Sequence, residues 1–183
     1  MKKLALAFLL CSVAAFATTV TYSTSGVFGN SGTNTSTAGG ATLTFGGITN
    51  DTVDATTFSS LGTITVSGTS PGTFSDTFAL TITQSVPSVG SGSSSSTVAG
   101  MITGTSSGIE LVFAPPDVTI GSGDGTITYR FLNGSYGLAP PNSNGGVTSL
   151  QVAIVAMPEP ASLGLIGVSL LGLGILVRRR AKK

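Results

Sequence analysis

Carboxylates and hydroxyls are almost all that this sequence offers to chemistry. Histidine is absent, and the one cysteine, Cys11, sits in an apolar stretch near the start. Between the two ends the acids are Asp51, Asp54, Asp76, Glu110, Asp117 and Asp124, and the only base is Arg130. A serine or threonine nucleophile needs an adjacent base to activate it. With no histidine, and no lysine between Lys3 and Lys182, a Ser-His-Asp enzyme is excluded. Paired carboxylates could hydrolyse a glycoside. That reading is disfavoured, because Glu110 is the only glutamate before the C-terminal tail and Asp51, Asp54, Asp117 and Asp124 lie in contexts where Asp caps turns. Calcium needs several oxygen ligands close together. Asn50-Asp51 with Asp54, and Asp124 within residues 121–125, are the candidates. Neither follows an EF-hand or nonapeptide pattern, and turn chemistry accounts for both. The expectation is a protein with no catalytic residue, no metal and no cofactor. Phe45, Tyr129 and Tyr136 are candidates for a sugar-stacking surface, although strand aromatics more often belong to a core.

Charge sets further limits. Only 8% of the residues are charged. The cations crowd at the ends, Lys2 and Lys3 at one and Arg178, Arg179, Arg180, Lys182 and Lys183 at the other. Six acids against Arg130 alone give the middle a net charge of −5. Nucleic acid is therefore not an expected partner, since neutralising phosphates takes clustered Lys and Arg.

The middle of the chain must position whatever chemistry exists, and it alternates with period two. Residues 41–45, 61–66, 74–83, 109–113, 126–131 and 150–154 place apolar side chains on one face, with Thr or Ser on the other in the first three and in part of 126–131, and Glu110 with Val112 or Gln151 with Ala153 in the remaining two. Asp76 interrupts the apolar face of its run. Residues 30–40 and 140–146 read as loops. Residues 90–97, with serine at Ser93, Ser94, Ser95 and Ser96, read as a flexible loop or disordered tip. Asp124-Gly125 reads as a type I′ turn. Roughly eight to ten short strands at this spacing predict an all-β fold, a β-sandwich with jelly-roll or immunoglobulin-like packing.

The ends are different. Residues 1–17 carry Lys2-Lys3, an apolar run of about ten residues, and the small-x-small pattern Ala15-Phe16-Ala17, which together read as a signal peptide cleaved before Thr18. At the other end Pro158-Glu159-Pro160 precedes uncharged residues 161–177 and then the basic cluster Arg178, Arg179, Arg180, Lys182, Lys183. A helix over 161–177 would span about 25 Å, slightly short of the roughly 30 Å hydrocarbon core. Snorkelling arginines make up part of the difference. The basic tail is expected to stay in the cytoplasm and the body outside. The domain division is thus 1–17 signal helix, 18–156 β ectodomain, and 157–183 anchor segment with a transmembrane helix.

This tripartite tail resembles the PEP-CTERM sorting signal of Gram-negative bacteria. The resemblance implies an exosortase as partner, cleavage near Pro158 to Pro160, and passage through the Sec translocon and signal peptidase. It also implies anchoring in the inner membrane before processing, and then a cell-surface or extracellular location. Family members are associated with surface or matrix polysaccharide, which makes exopolysaccharide an expected partner of the body. The body itself resembles, diffusely, the choice-of-anchor β domains, through residues 40–45, 58–63 and 78–84. That likeness implies a fold and no activity. The function expected is that of a non-enzymatic surface or matrix protein, with a carbohydrate-binding or adhesive module as the second reading.

Overall fold

A computed structural model describes residues 18–156 except 69, 104, 105 and 133, gives the backbone alone at 124, and adds three positions farther on, 167, 169 and 172. Twelve strands lie among the described residues. They are β1 (Thr19–Phe28), β2 (Thr35–Ala38), β3 (Ala41–Gly46), β4 (Asp51–Asp54), β5 (Phe58–Ser67), β6 (Gly72–Val86), β7 (Gly90–Ile102), β8 (Glu110–Ala114), β9 (Asp117–Ile120), β10 (Ile127–Phe131), β11 (Ser135–Gly137) and β12 (Val147–Ala156). They form two antiparallel sheets of six, ordered β11-β8-β7-β6-β1-β4 and β2-β3-β5-β12-β10-β9. The all-β sandwich is as the alternation predicts. The chain passes repeatedly from one sheet to the other, so neither sheet is built from one continuous segment.

The inner faces meet in a single apolar core. Phe78 sits at its middle, with ring centroids 4.9 Å from Phe28, 5.2 Å from Phe45 and 6.5 Å from Phe113. Phe113 stacks on Phe131 at 4.2 Å. Space for these rings comes from small inward residues. Gly26 faces inward on β1, where a Cβ would lie 2.4 Å from the Phe78 ring and 2.7 Å from Phe45. An alanine there would drive a ring out of its packed position.

Several sequence expectations are corrected. Residues 90–97 are neither a loop nor a tip. They form the first half of β7, paired with β6 on one side and, farther along, with β8 on the other. In the register Phe78, Ser96 and Phe113 share one row, so the small inward serine lets the two flanking rings come into contact. Ser94 and Ser96 satisfy their buried hydroxyls by donating to the carbonyls of Pro115 and Phe78, at 2.7 and 3.4 Å. Composition suggested a linker, but two neighbouring strands make a ladder of it. The segment 30–40 likewise holds β2, paired with β3 from Thr35 opposite Thr44 to Ala38 opposite Ala41. Asp51 and Asp54 lie on β4 and Asp117 starts β9, so these acids are strand residues and not turn caps. The hairpin between β9 and β10 exists, but residues 121–126 close it through a short 3-10 turn over Gly123–Gly125, longer than a two-residue type I′ loop.

Candidate functional site

The carboxylates do not assemble. Asp51 and Asp54 stand three residues apart on one strand and so project to opposite faces. Asp51 accepts a long hydrogen bond from the Tyr22 hydroxyl at 3.4 Å. Asp117 pairs with Arg130 on the outer face at 3.3 Å. Glu110 lies on the outer face of β8, opposite Ala99. Among the described residues no three His, Cys, Asp or Glu side chains converge as a metal cage.

Asp76 is the buried acid, and its partners explain how an apolar face tolerates it. Oδ2 accepts from Ser36 Oγ at 2.6 Å, and Oδ1 accepts from the backbone N–H groups of Asn30 and Thr77 at 2.9 and 2.7 Å. A buried carboxylate with its lone pairs occupied costs far less than an orphaned one. Here it ties the loop after β1 and strand β2 to β6.

The three tyrosines are inward and hydrogen-bonded. Tyr22 donates to the Ser60 carbonyl at 2.7 Å, with Ser59 Oγ at the same distance. Tyr129 donates to Gln84 Oε1 at 3.0 Å, and Tyr136 donates to the Gln151 carbonyl. Burial raises all three phenol pKa values. At Tyr22 and Tyr136 hydrogen bonds from Ser59 and the Leu132 N–H oppose part of that rise, while Asp51 adds to it at Tyr22. Phe45, Tyr129 and Tyr136 therefore belong to the core and offer no ring to a sugar. Among the described residues the aromatic side chain that does face solvent is Phe58, 74% exposed, which alternation did not point to. Its register partner is Ala153, whose other neighbour is Arg130.

The outer face of β6 and β7 is uncharged and hydroxyl-rich. Thr83 faces Ser91, Thr81 faces Ser93, and Thr77 faces Thr97. None of these six hydroxyls bonds to another group among the described residues. On the opposite sheet many outer hydroxyls pair across strands instead: Thr37 with Thr42 at 2.9 Å, Thr119 with Thr128 at 3.1 Å, and Ser60 with Ser149 at 2.8 Å.

Thr18 and Ala156, the two ends of the described sandwich, meet at one rim. The Ala55 N–H donates to the Thr18 carbonyl at 2.7 Å, and the next residue, Thr56, donates to the Ile154 carbonyl at 2.8 Å. Ala156 ends β12 opposite Ile127. The β6–β7 hairpin reaches the same rim. There Gln84 Nε2 donates to the Ser88 carbonyl at 3.0 Å, and Ser88 Oγ donates to the Gly125 carbonyl in the β9–β10 turn at 2.8 Å.

Ala15, Ala17, Pro158, Glu159, Pro160, Arg178, Arg179, Arg180, Lys182 and Lys183 all lie outside the described residues. So do the signal segment 1–17 and most of the span 161–177, of which Gly167, Ser169 and Gly172 are described, each helical. Among the described residues no helix is long and apolar enough to cross a membrane.

A family model for the PEP-CTERM protein-sorting motif matches residues 158–180. The match begins two residues after the last strand ends. No curated protein and no solved structure matches the chain, so the likeness of the body to choice-of-anchor domains is without support from these comparisons.

Proposed function

We propose, from the PEP-CTERM sorting motif that this chain carries at residues 158–180, that it is an exported substrate of an exosortase and serves as a non-enzymatic surface or extracellular-matrix protein. The observation that carries this reading is the position of the motif. A complete β-sandwich ends at Ala156, and the sorting segment follows almost without a linker. The segment 161–177 acts as the membrane anchor, and the basic cluster from Arg178 to Lys183 holds it on the cytoplasmic side. Cleavage near Pro158 to Pro160 then frees the body to the surface or matrix. The non-enzymatic part rests on the residue inventory, with no histidine and no ectodomain lysine, and on carboxylates that do not converge among the described residues. Intact-mass measurement of the protein recovered from its native host tests the reading. A body that has lost the tail agrees with it, and a surface form still ending at Lys183 refutes it.

The second reading, a carbohydrate-binding or adhesive module, draws on the outer face of β6 and β7. Six hydroxyls there, without partners among the described residues, present donors and acceptors to a polysaccharide. An array of matrix polysaccharides probed with residues 18–156 separates the two readings, because a flat response leaves the structural role alone.

A further inference from the structure

We infer that the rim carrying Thr18 and Ala156 docks on the bilayer for as long as the tail is in place, and that the apolar tips on this rim form the docking surface. The inference rests on the reading of 161–177 as the anchor.

Chain length restricts the geometry first. Four residues lie between Ala156 and Ala161, and even fully extended the five steps from one to the other reach only about 17 Å. The interfacial layer outside the hydrocarbon core is roughly 5–8 Å thick. The rim is therefore held within about 10 Å of the headgroups. The end of β12 is held by its ladder to β10 as far as Ala156, and on the other side Ile154 is bonded to Thr56 and Thr57, so it does not peel away freely. The rim as a whole follows the tether.

The side chains at this rim suit that surroundings. Val89, at the tip of the β6–β7 hairpin, is 85% exposed, the highest value among the large apolar residues described. Val86 at the base of the same hairpin is also exposed. On the other sheet exposed Val155 follows Ala153 on the outer face, and Ala153 is the register partner of exposed Phe58. The apolar tips thus occur on both sheets where they meet this rim. Charge provides little attraction, since the ionisable residues nearby are Asp54, by sequence Asp124 and Glu159, and, in the Phe58–Ala153 row, Arg130 neutralised by its partner Asp117. The contact is apolar and holds on zwitterionic lipid. Each apolar contact is weak alone, but the tether makes it intramolecular and raises the effective concentration of lipid. Once the tail is cut, that advantage disappears and the body leaves the membrane.

The test uses residues 18–183, which lack the leader and its Cys11, reconstituted in phosphatidylcholine vesicles that include lipids with brominated chains. An environment-sensitive fluorophore is attached through Ser122→Cys on the rim or through Met101→Cys at the far end of β7. Ser122 makes no side-chain cap bond, and Met101 is 60% exposed. The expected result is blue-shifted emission at position 122, quenched about twofold more than at position 101. Adding Val86→Ser and Val89→Ser should remove most of that difference while flotation with the vesicles persists. Equal emission and quenching at the two positions in a protein that floats overturns the docking alone. So does a rim signal indifferent to the double substitution. A chain that does not float overturns the anchor, and the docking with it.

Discussion

The two faces of the β6–β7 ribbon are built from similar residues and have opposite tasks. Inward, Asp76, Gln84, Ser94 and Ser96 are buried and each has a hydrogen-bond partner, interleaved with Phe74, Phe78 and Val98. Outward, Thr81, Thr83, Ser91 and Ser93 stand in rows without partners among the described residues. The lesson is that a hydroxyl has no fixed role in this fold. A serine buried between two rings spares volume for them and satisfies itself on a carbonyl. The next serine along faces water and remains available to a ligand.

The strongest way to break this contrast is from the inside. Phe78→Ala removes the ring that three other aromatics touch, and should cost about 3–5 kcal/mol in urea unfolding. A loss under about 1 kcal/mol would mean that the core is not organised around Phe78. Asp76→Ala should come next, at about 1–3 kcal/mol, because it leaves Ser36 Oγ and two N–H groups without their charged acceptor. Asp76→Asn should recover part of the loss, since its one carbonyl oxygen keeps some of those bonds.

Alkali attacks the same inner face through the tyrosines. Burial raises the phenol pKa values in the folded state above the unfolded value of 10.0. Below that value both states keep the phenol protons, and the contribution to stability is complete. Above it the unfolded chain releases protons that the folded one retains, so stability falls as pH climbs toward the folded values. The melting temperature should be lower at about pH 12 than at about pH 9, and Tyr129→Phe should reduce the drop. A melting temperature unchanged across that interval would contradict the burial of these hydroxyls.

The smallest effects belong to the outside. Ser93→Ala and Thr83→Ala should each change stability by no more than about 0.5 kcal/mol, as expected of surface positions without partners. The buried neighbour Ser94 should respond more strongly to Ser94→Val, which puts a branched side chain where a hydroxyl bonds Pro115. If Ser93→Ala proved as costly as changes at Ser94, the outer face would be part of the fold and not a free surface.

Much of this architecture was legible from alternation. The runs at 41–45, 61–66, 74–83 and 150–154 all fall within strands with the expected faces inward. Phe58 shows where that reading stops. Period two carried back from Ile64 places residue 58 inside. A register shift opposite Ser149 to Gln151, with Gly62 at φ 126°, turns both Leu61 and Gly62 inward and sends Phe58 out. The bulge involves a partner strand almost ninety residues away along the chain, and a local pattern carries no trace of it. Alternation already puts Phe45 beside Leu43 and Tyr129 between Ile127 and Phe131 on apolar faces, whereas Tyr136 belongs to no such run and its inward position came from packing.

By itself the sequence determined the all-β class, the absence of a histidine-based active site and the sorting motif at 158–180, because composition, alternation and a tripartite motif are local properties. Tertiary structure alone decided that the serine run is an interior strand, that Asp76 has partners, and that Thr18 and Ala156 come to the same rim. Each of these depends on pairing between segments distant in the chain, where register and packing, set by the whole sandwich, select one arrangement from several that every segment alone would accept.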